Sequence, residues 1–108
     1  MKKTLLFHFV FLCCAFLSLA QQATIKGTIF NGKSKETIPG VNIILDEKTG
    51  VASDMDGRYS LKVNAGKVTI TYKYIGYTPV VRIYELKPGQ TKIEDIELYE
   101  ESMIIEGI

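Results

Sequence analysis

Short runs of alternating hydrophobic and polar residues, each bounded by turn residues, follow one another along the chain from residue 24 onward. Val68, Ile70, Tyr72 and Tyr74 share one face of such a run, because successive side chains of a strand point to opposite sides of the sheet. Gly, Pro, Asn and Asp separate the runs at intervals of about ten residues, and no stretch has a helical period. The pattern predicts strands over residues 24–30, 41–45, 51–53, 59–63, 67–74, 80–84 and 92–98.

Seven short strands in a chain of this length are typical of an antiparallel sandwich with a single core. We therefore predict an all-β fold. The sequence shows neither an internal repeat nor a low-complexity segment, and we expect one folded domain.

The first twenty residues differ from the rest of the chain. Two lysines precede an apolar run over residues 5–19, and Ser18 and Ala20 place small residues before Gln21. That order predicts a secretory signal peptide over residues 1–20. The run is too short for a comfortable membrane-spanning helix, so we expect export and no membrane span in the mature chain. An uncleaved N-terminal anchor is the alternative.

The predicted cleavage changes the chemical inventory of the protein. The full chain has 108 residues and a net charge of +1, but both cysteines (Cys13, Cys14) and the only histidine (His8) lie within residues 1–20. The mature chain would therefore have no thiol nucleophile, no histidine base, no Cys/His zinc site and no disulfide. We predict a protein that is not an enzyme and that uses no cofactor and no metal.

Charge is unevenly distributed along the mature chain. Residues 21–92 carry 11 bases and 6 acids, whereas residues 93–108 carry 6 acids and no base. The bases are dispersed in the sequence and do not alternate with aromatic residues, so we expect no nucleic-acid partner. The acidic end is interpreted as a last strand that continues into an exposed tail.

Glycine and proline at several positions indicate specific backbone conformations. Gly27 within the first strand predicts a bulge or a close approach by neighbouring backbone. Pro39 and Gly40 end the first long loop, where proline restricts φ and glycine permits a left-handed conformation.

The segment from Asp54 to Gly57 is a turn signal. Asp54 and Asp56 are expected to accept hydrogen bonds from turn amides, and Gly57 is expected to adopt a positive φ. Two carboxylates two residues apart followed by glycine also resemble a calcium loop. An EF-hand requires an acid six residues after the glycine, and Val63 stands there, so the turn is the favoured interpretation.

The aromatic residues of the fifth predicted strand have two interpretations. Gly76 allows the chain to leave the sheet sharply, after which Tyr77 can cover the open end of the core. Tyr72, Tyr74 and Tyr77 could form a platform on which a sugar stacks. Their alternation with polar residues favours packing in the core.

Four sequence blocks together resemble a known family. They are IKGTI (25–29), IPGVNI (38–43), SDMDGRYSL (53–61) and YIGY (74–77). In this order and spacing they are similar to the carboxypeptidase-regulatory-like domain, over residues 23–98. The resemblance implies a seven-stranded antiparallel Greek-key sandwich of the transthyretin-like or immunoglobulin-like type. In Gram-negative bacteria this domain is found at the N-terminus of TonB-dependent outer-membrane receptors, including glycan transporters, so it also implies a periplasmic location in association with the outer membrane.

The C-terminal residues resemble the linker of such receptors. There an acidic linker is followed by a short β-branched stretch that the energising protein contacts, and Met103, Ile104 and Ile105 after two glutamates are similar in kind and position. The resemblance implies that these three residues bind a partner. We expect a sandwich domain over residues 21–98 and an unpacked tail over residues 99–108. Because no plug and no barrel follow, we expect that the chain does not itself transport a substrate.

The sequence features are consistent with two functions. The first is a non-catalytic exported interaction module that binds a periplasmic or outer-membrane protein through an added β-strand. The alternative is a free-standing periplasmic domain that binds a carbohydrate or another small ligand on exposed tyrosines.

Export provides the first test. Mass spectrometry of the periplasmic fraction should find a mature chain that begins at Gln21, because Ser18 and Ala20 satisfy the small-residue requirement of signal cleavage. An intact Met1, or a lipid attached to Cys14, would contradict the predicted cleavage.

Overall fold

A computed structural model of the protein describes residues 21–102. These residues form short β-strands joined by turns and loops, and none of them is helical. The all-β prediction is confirmed. The strands are β1 (Gln22–Asn31), β2 (Asn42–Ile44), β3 (Gly50–Ala52), β4 (Arg58–Asn64), β5 (Gly66–Lys73), β6 (Val80–Leu86), β7 (Thr91–Ile93) and β8 (Ile96–Leu98).

The strands form two four-stranded sheets that face each other. In the first sheet β1 pairs with β4 on one side and with both β7 and β8 on the other. In the second sheet the order is β3-β2-β5-β6, and all neighbours are antiparallel. The sandwich prediction is confirmed, with two corrections. The predicted last strand over residues 92–98 is two strands, and both run parallel to β1.

The last strand is broken where it passes over Gly27. The N–H of Glu94 donates to the carbonyl of Lys26 at 2.8 Å, and the N–H of Thr28 donates to Oδ1 of Asp95 at 2.9 Å. A Cβ at Gly27 would overlap the carbonyl oxygen of Glu94. The close backbone approach predicted for Gly27 is confirmed. A carboxylate thereby replaces one rung of the ladder, which divides the strand in two.

The core lies between the sheets and follows the predicted alternation. In β4, Tyr59, Leu61 and Val63 point inward and the residues between them are exposed. In β5, Ile70 and Tyr72 are completely buried, as the shared face of this strand predicts. The buried apolar side chains are Ala23, Ile25, Ile29, Ile38, Val41, Ile43, Tyr59, Leu61, Val63, Ile70, Tyr72, Tyr84, Leu86, Ile96 and Leu98.

Ser53 holds the loop that contains Pro39 and Gly40. Its buried hydroxyl donates to the carbonyl of Ile38 and accepts the N–H of Val41, both at 2.8 Å. The N–H of Gly40 donates to the carbonyl of Ser53 at 3.0 Å. Gly40 has a φ of 76°, which confirms the predicted left-handed conformation after Pro39.

The turn before β4 has the conformation that its sequence predicts. Oδ1 of Asp54 accepts the N–H groups of Asp56 and Arg58, each at 2.9 Å, and Gly57 has a φ of 77°. Asp56 has a different role from the predicted one. Its amide donates to Asp54, and its own side chain is exposed.

Gly57→Val should lower the free energy of unfolding by about 1–3 kcal/mol, because a β-branched side chain is strained at positive φ. Its Cβ would also lie only 2.8 Å from the carbonyl oxygen of Ile29. Lys62→Ala, on the exposed face of β4, should change stability by no more than about 0.5 kcal/mol. Urea denaturation compares the two variants, and equal midpoints would contradict the role assigned to Gly57.

Candidate functional site

The candidate site is the end of the sandwich at which residues 99–102, the last residues that the structure describes, lie; we call this end the exit. The N–H of Thr78 donates to the carbonyl of Tyr99, and the N–H of Glu101 donates to the carbonyl of Gly76, both at 2.9 Å. Glu100 forms an antiparallel bridge with Tyr77. Residues 99–101 therefore belong to the folded unit. The expectation of an unpacked tail from residue 99 is wrong for these three residues, because their main-chain groups pair with the turn that precedes β6.

The turn over residues 74–78 supplies the main-chain hydrogen-bond partners of residues 99–101. Gly76 has a φ of 82°, and the N–H of Tyr77 donates to the carbonyl of Tyr74 at 3.1 Å. The half-buried Tyr77 ring packs against the core, with its centroid 5.7 Å from that of Tyr74. The predicted turn at Gly76 is confirmed, and the Tyr77 ring packs against the core.

Asn31 joins the first loop to this turn. Its Oδ1 accepts the N–H groups of Lys33 at 2.8 Å and Ser34 at 3.0 Å. Its Nδ2 donates to the hydroxyl of Tyr77 at 3.1 Å. Asn31 is not among the predicted site residues. An Asn-Gly pair directly after a strand is the signal for the local turn, but only the fold reveals the contact with Tyr77.

Tyr99 lies on the other side of the exit, next to the first loop. Its ring lies against Gly32, where any Cβ would overlap it. Its hydroxyl donates to Oε2 of Glu97 at 2.8 Å, and Nζ of Lys35 lies 3.0 Å from Oε1 of the same carboxylate. The hydrogen bonds from Lys35 and then Tyr99 lower the pKa of Glu97, and the bond to Glu97 raises the pKa of Tyr99.

A groove of about 620 Å³ opens between the first loop and residues 99–102. It combines one aromatic ring, that of Tyr99, with carboxylates and one ammonium group. This combination suits a polar ligand that offers hydroxyl groups. The lining residues are Asn31, Lys33, Ser34, Tyr99, Glu100, Glu101 and Ser102.

Tyr72 does not contribute to an aromatic platform, because its side chain is completely buried. The Tyr59 hydroxyl donates to the carbonyl of Glu94 at 2.7 Å, and the Tyr72 hydroxyl lies 2.9 Å from that of Tyr59 and 3.3 Å from that of Tyr84. Each hydroxyl has one proton, so Tyr72 donates to Tyr59 and Tyr84 donates to Tyr72. Burial raises the pKa of Tyr59 to about 12 and also raises those of Tyr72 and Tyr84.

The structure brings some of the predicted residues together and leaves others apart. Gly76 and Tyr77 lie at the exit, whereas Gly27 lies in the middle of β1. The predicted partner-binding residues Met103, Ile104 and Ile105 lie outside the described residues, as does the predicted signal peptide.

Within residues 21–102, no three His, Cys, Asp or Glu side chains come close enough together to bind a metal ion. The same residues include no helix with the length and hydrophobicity needed to cross a bilayer.

Comparison with known families and proteins gives a consistent result. The CarboxypepD_reg-like domain family matches residues 25–108. TonB-dependent receptor P3 of Formosa agariphila is 33% identical over 93 residues, and TonB-dependent receptor P39 of the same organism is 43% identical over 61 residues. These alignments cover 84% and 56% of this chain. The chain spans only 9% and 6% of the lengths of the two receptors.

Similar solved structures come from proteins of different bacteria. The Bacillus anthracis TIE protein has a TM-score of 0.56 at 17% identity, with 73% of this chain and 17% of that chain covered. Hydroxyquinol 1,2-dioxygenase from Pseudomonas putida DLL-E4 has a TM-score of 0.56 at 7% identity, with 74% of this chain and 57% of that chain covered. At such identities the likeness shows the fold alone.

The tyrosine chain predicts how stability depends on alkaline pH. The folded-state pKa of Tyr59 is about 12, above the ordinary value of 10.0. Its contribution is therefore fully present below pH 10 and is lost as the pH rises from 10 through 12. Tyr59→Phe should lower the free energy of unfolding at pH 8 by about 1–2 kcal/mol, because the Glu94 carbonyl and the Tyr72 hydroxyl lose their partner.

Urea denaturation between pH 8 and 12 tests this prediction. Stability should fall less steeply above pH 10 in Tyr59→Phe than in the wild type, whereas the exposed Tyr99→Phe should retain most of the wild-type slope. Equal slopes in wild type and Tyr59→Phe would contradict the assignment.

Proposed function

The chain belongs to the family of CarboxypepD_reg-like domains, as its four sequence blocks predict, and we propose that it is a non-catalytic interaction module of the bacterial envelope. Its curated relatives are TonB-dependent receptors, which supports an exported protein associated with the outer membrane. In this proposal the sandwich is a rigid support, and residues 103–105 bind a protein partner on the periplasmic side.

The observation that carries the proposal is the main-chain bond from Glu101 to Gly76. It fixes the position of Glu101 on the sandwich, and Glu101 lies two residues before Met103 in the sequence. Gln22 begins β1 and Asn31 ends it, so the predicted cleavage site and this exit are on the order of 30 Å apart. A partner at the exit end would therefore meet residues 103–105 without contacting the N-terminal end.

An added strand is the mode of binding that the segment suits. Met103, Ile104 and Ile105 are apolar and rich in β-branched side chains, which favour the extended conformation. In strand addition, main-chain hydrogen bonds provide affinity and alternate side chains provide specificity. Glu100 and Glu101 precede the segment and Glu106 follows it, so the partner's sheet edge is expected to carry basic residues.

Two aspartates of the described region, Asp46 and Asp54, have structural roles in turns. Oδ1 of Asp46 accepts the N–H groups of Lys48 and Thr49, each at 2.8 Å, and the bond from Lys48 is the largest cause that lowers the pKa of Asp46. Asp54 is bound in the same manner in its own turn. A carboxylate whose pKa is lowered by turn amides is a poor proton donor, so Asp46 does not suit general acid catalysis.

A second candidate function is binding of a carbohydrate or another polar small ligand in the groove beside Tyr99. This ring is 52% exposed and is held in place by Gly32 and Glu97. The volume of about 620 Å³ lies in the usual range of ligand sites. Apart from Tyr99 the groove is lined by polar and charged residues, and it lacks the apolar walls of most small-molecule sites, which makes it the weaker candidate.

Deletion of residues 103–108 separates the two functions. It should leave the free energy of unfolding unchanged within about 0.5 kcal/mol, because the buried apolar residues of the part of the chain that the structure describes all lie between Ala23 and Leu98. It should abolish capture of an envelope protein by the immobilised chain. Ile104→Pro should also abolish capture, since proline removes a main-chain donor, whereas Ile104→Val should retain it.

The carbohydrate function makes the opposite prediction. The deletion should then have no effect, whereas Tyr99→Ala should weaken binding on a glycan array without unfolding the protein. Capture that persists in both the deletion and Ile104→Pro would contradict the interaction module, as would a deletion that unfolds the sandwich.

A further inference from the structure

The outer face of the first sheet carries bases without matching acids where β4 lies beside β1. β1 is the central strand of that sheet, and β4 is an edge strand. The outward side chains of these two strands include three bases and no acid, although residues 21–102 as a whole have eleven of each. The outward residues are Gln22, Thr24, Lys26, Thr28, Phe30, Arg58, Ser60, Lys62 and Asn64.

The strand register brings the three bases together. Lys26 pairs with Ser60. Arg58 and Lys62 lie two residues before and two residues after Ser60 on β4, so both are diagonal neighbours of Lys26, at about 7–8 Å. All three bases are exposed, and none of them forms a salt bridge within residues 21–102. We call Lys26, Arg58 and Lys62 the basic triangle.

The acids of this sheet lie on the other side of β1, and each has a partner. Glu94 and Glu97 form salt bridges with Lys92 and Lys35, and Oδ1 of Asp95 accepts a main-chain N–H. Charge on an edge strand also resists pairing with other strands, which is one role for the two bases of β4. That role does not apply to the base on the central strand. The triangle therefore presents an uncompensated positive charge to solvent.

An exposed apolar side chain lies beside the triangle. Ile93 of β7 pairs with Lys26 on the side away from β4, and it is 69% exposed. Thr24, Thr28 and Ser60 add hydroxyl groups between the bases. These side chains project from the flat face of a sheet and do not converge on one point. The face therefore suits a broad, flat partner with many anionic groups.

We propose that this face of the sandwich binds an anionic lipid surface, with the basic triangle at the phosphate groups and Ile93 at the boundary between headgroups and acyl chains. Lysine and arginine are attracted to an anionic membrane, and an apolar side chain that enters the interface adds to the binding. A linear polyanion would use the bases but would gain nothing from Ile93. A lipid surface uses both features of the face.

The inference rests on the proposed function at one point, the location of the chain at the bacterial envelope. The two sites are otherwise separate. The triangle lies on the outer face of a sheet, whereas residues 99–101 lie at the exit. Variants of the triangle leave Met103–Ile105 unchanged, so vesicle binding measures one hypothesis and partner capture measures the other.

Vesicle flotation tests the contribution of charge. At about 0.1 M salt the mature chain should float with phosphatidylcholine vesicles that contain about 30% phosphatidylglycerol, and it should not float with pure phosphatidylcholine. The combined variant Lys26→Gln, Arg58→Gln and Lys62→Gln should lower the partition coefficient on the order of a hundredfold, because each base at the surface contributes about fivefold. Its urea midpoint should equal that of the wild type, because all three side chains are exposed.

A matched control removes the same charge from the second sheet. Lys48, Lys67 and Lys73 are exposed on that sheet and its turn between β2 and β3. The sheets are about 10 Å apart, about one Debye length at 0.1 M salt, so changing these three lysines to glutamine should alter the partition coefficient by less than about threefold. Equal losses in the two triple variants would overturn the proposal, as would a wild-type chain that does not float with the anionic vesicles.

Ile93 distinguishes a lipid surface from a linear polyanion. Ile93→Ser should weaken partition by about threefold or more, because contact with the lipid interface buries this side chain. Ile83→Ser should have no effect, since Ile83 is similarly exposed, at 61%, but lies on the second sheet. Equal partition of wild type and Ile93→Ser would overturn the lipid contact. Complete displacement from the vesicles by dextran sulfate, at an equal concentration of charge, would overturn it in favour of a linear polyanion.

Discussion

The crossing of the chain over Gly27 is the contact on which most of the structure depends. Glu94 lies against the bare backbone of Gly27, its N–H bonds to Lys26, and its carbonyl accepts the hydroxyl of Tyr59. From Tyr59 the hydroxyl bonds continue to Tyr72 and Tyr84 in the opposite sheet. One backbone crossing therefore divides the last strand, closes the first sheet and anchors the polar chain that crosses the core.

The same crossing places residues 99–101 at the exit. Because β8 is separated from β7, it continues along β1 to Asn31 and brings Tyr99 against Gly32. Residues 99–101 can then pair with the turn that contains Gly76. In the proposed interaction module, Met103 follows closely on these fixed residues in the sequence, and a binding segment attached in this way loses less conformational freedom on binding than one attached through a long linker.

The local features were predictable because they depend on residues near each other in the sequence. Alternation in β4 and β5 gave the inward faces, and the glycines at 40, 57 and 76 each adopt the positive φ expected of their turns. The prediction failed for the last strand and for residues 99–101. Both depend on partners far away in the sequence, such as Thr28 and Asp95, which are 67 positions apart.

By itself, the sequence determined the all-β class, the two faces of each long strand and the family, because periodicity, turn chemistry and motif order are properties of neighbouring residues. Only the tertiary structure decided the parallel pairing of β7 and β8, the bond between Asn31 and Tyr77, and the exposure of Val81 and Ile83. The physical reason is that strand order is not encoded by period. An alternating run has the same pattern at an edge as in the centre, and packing determines which strand becomes an edge.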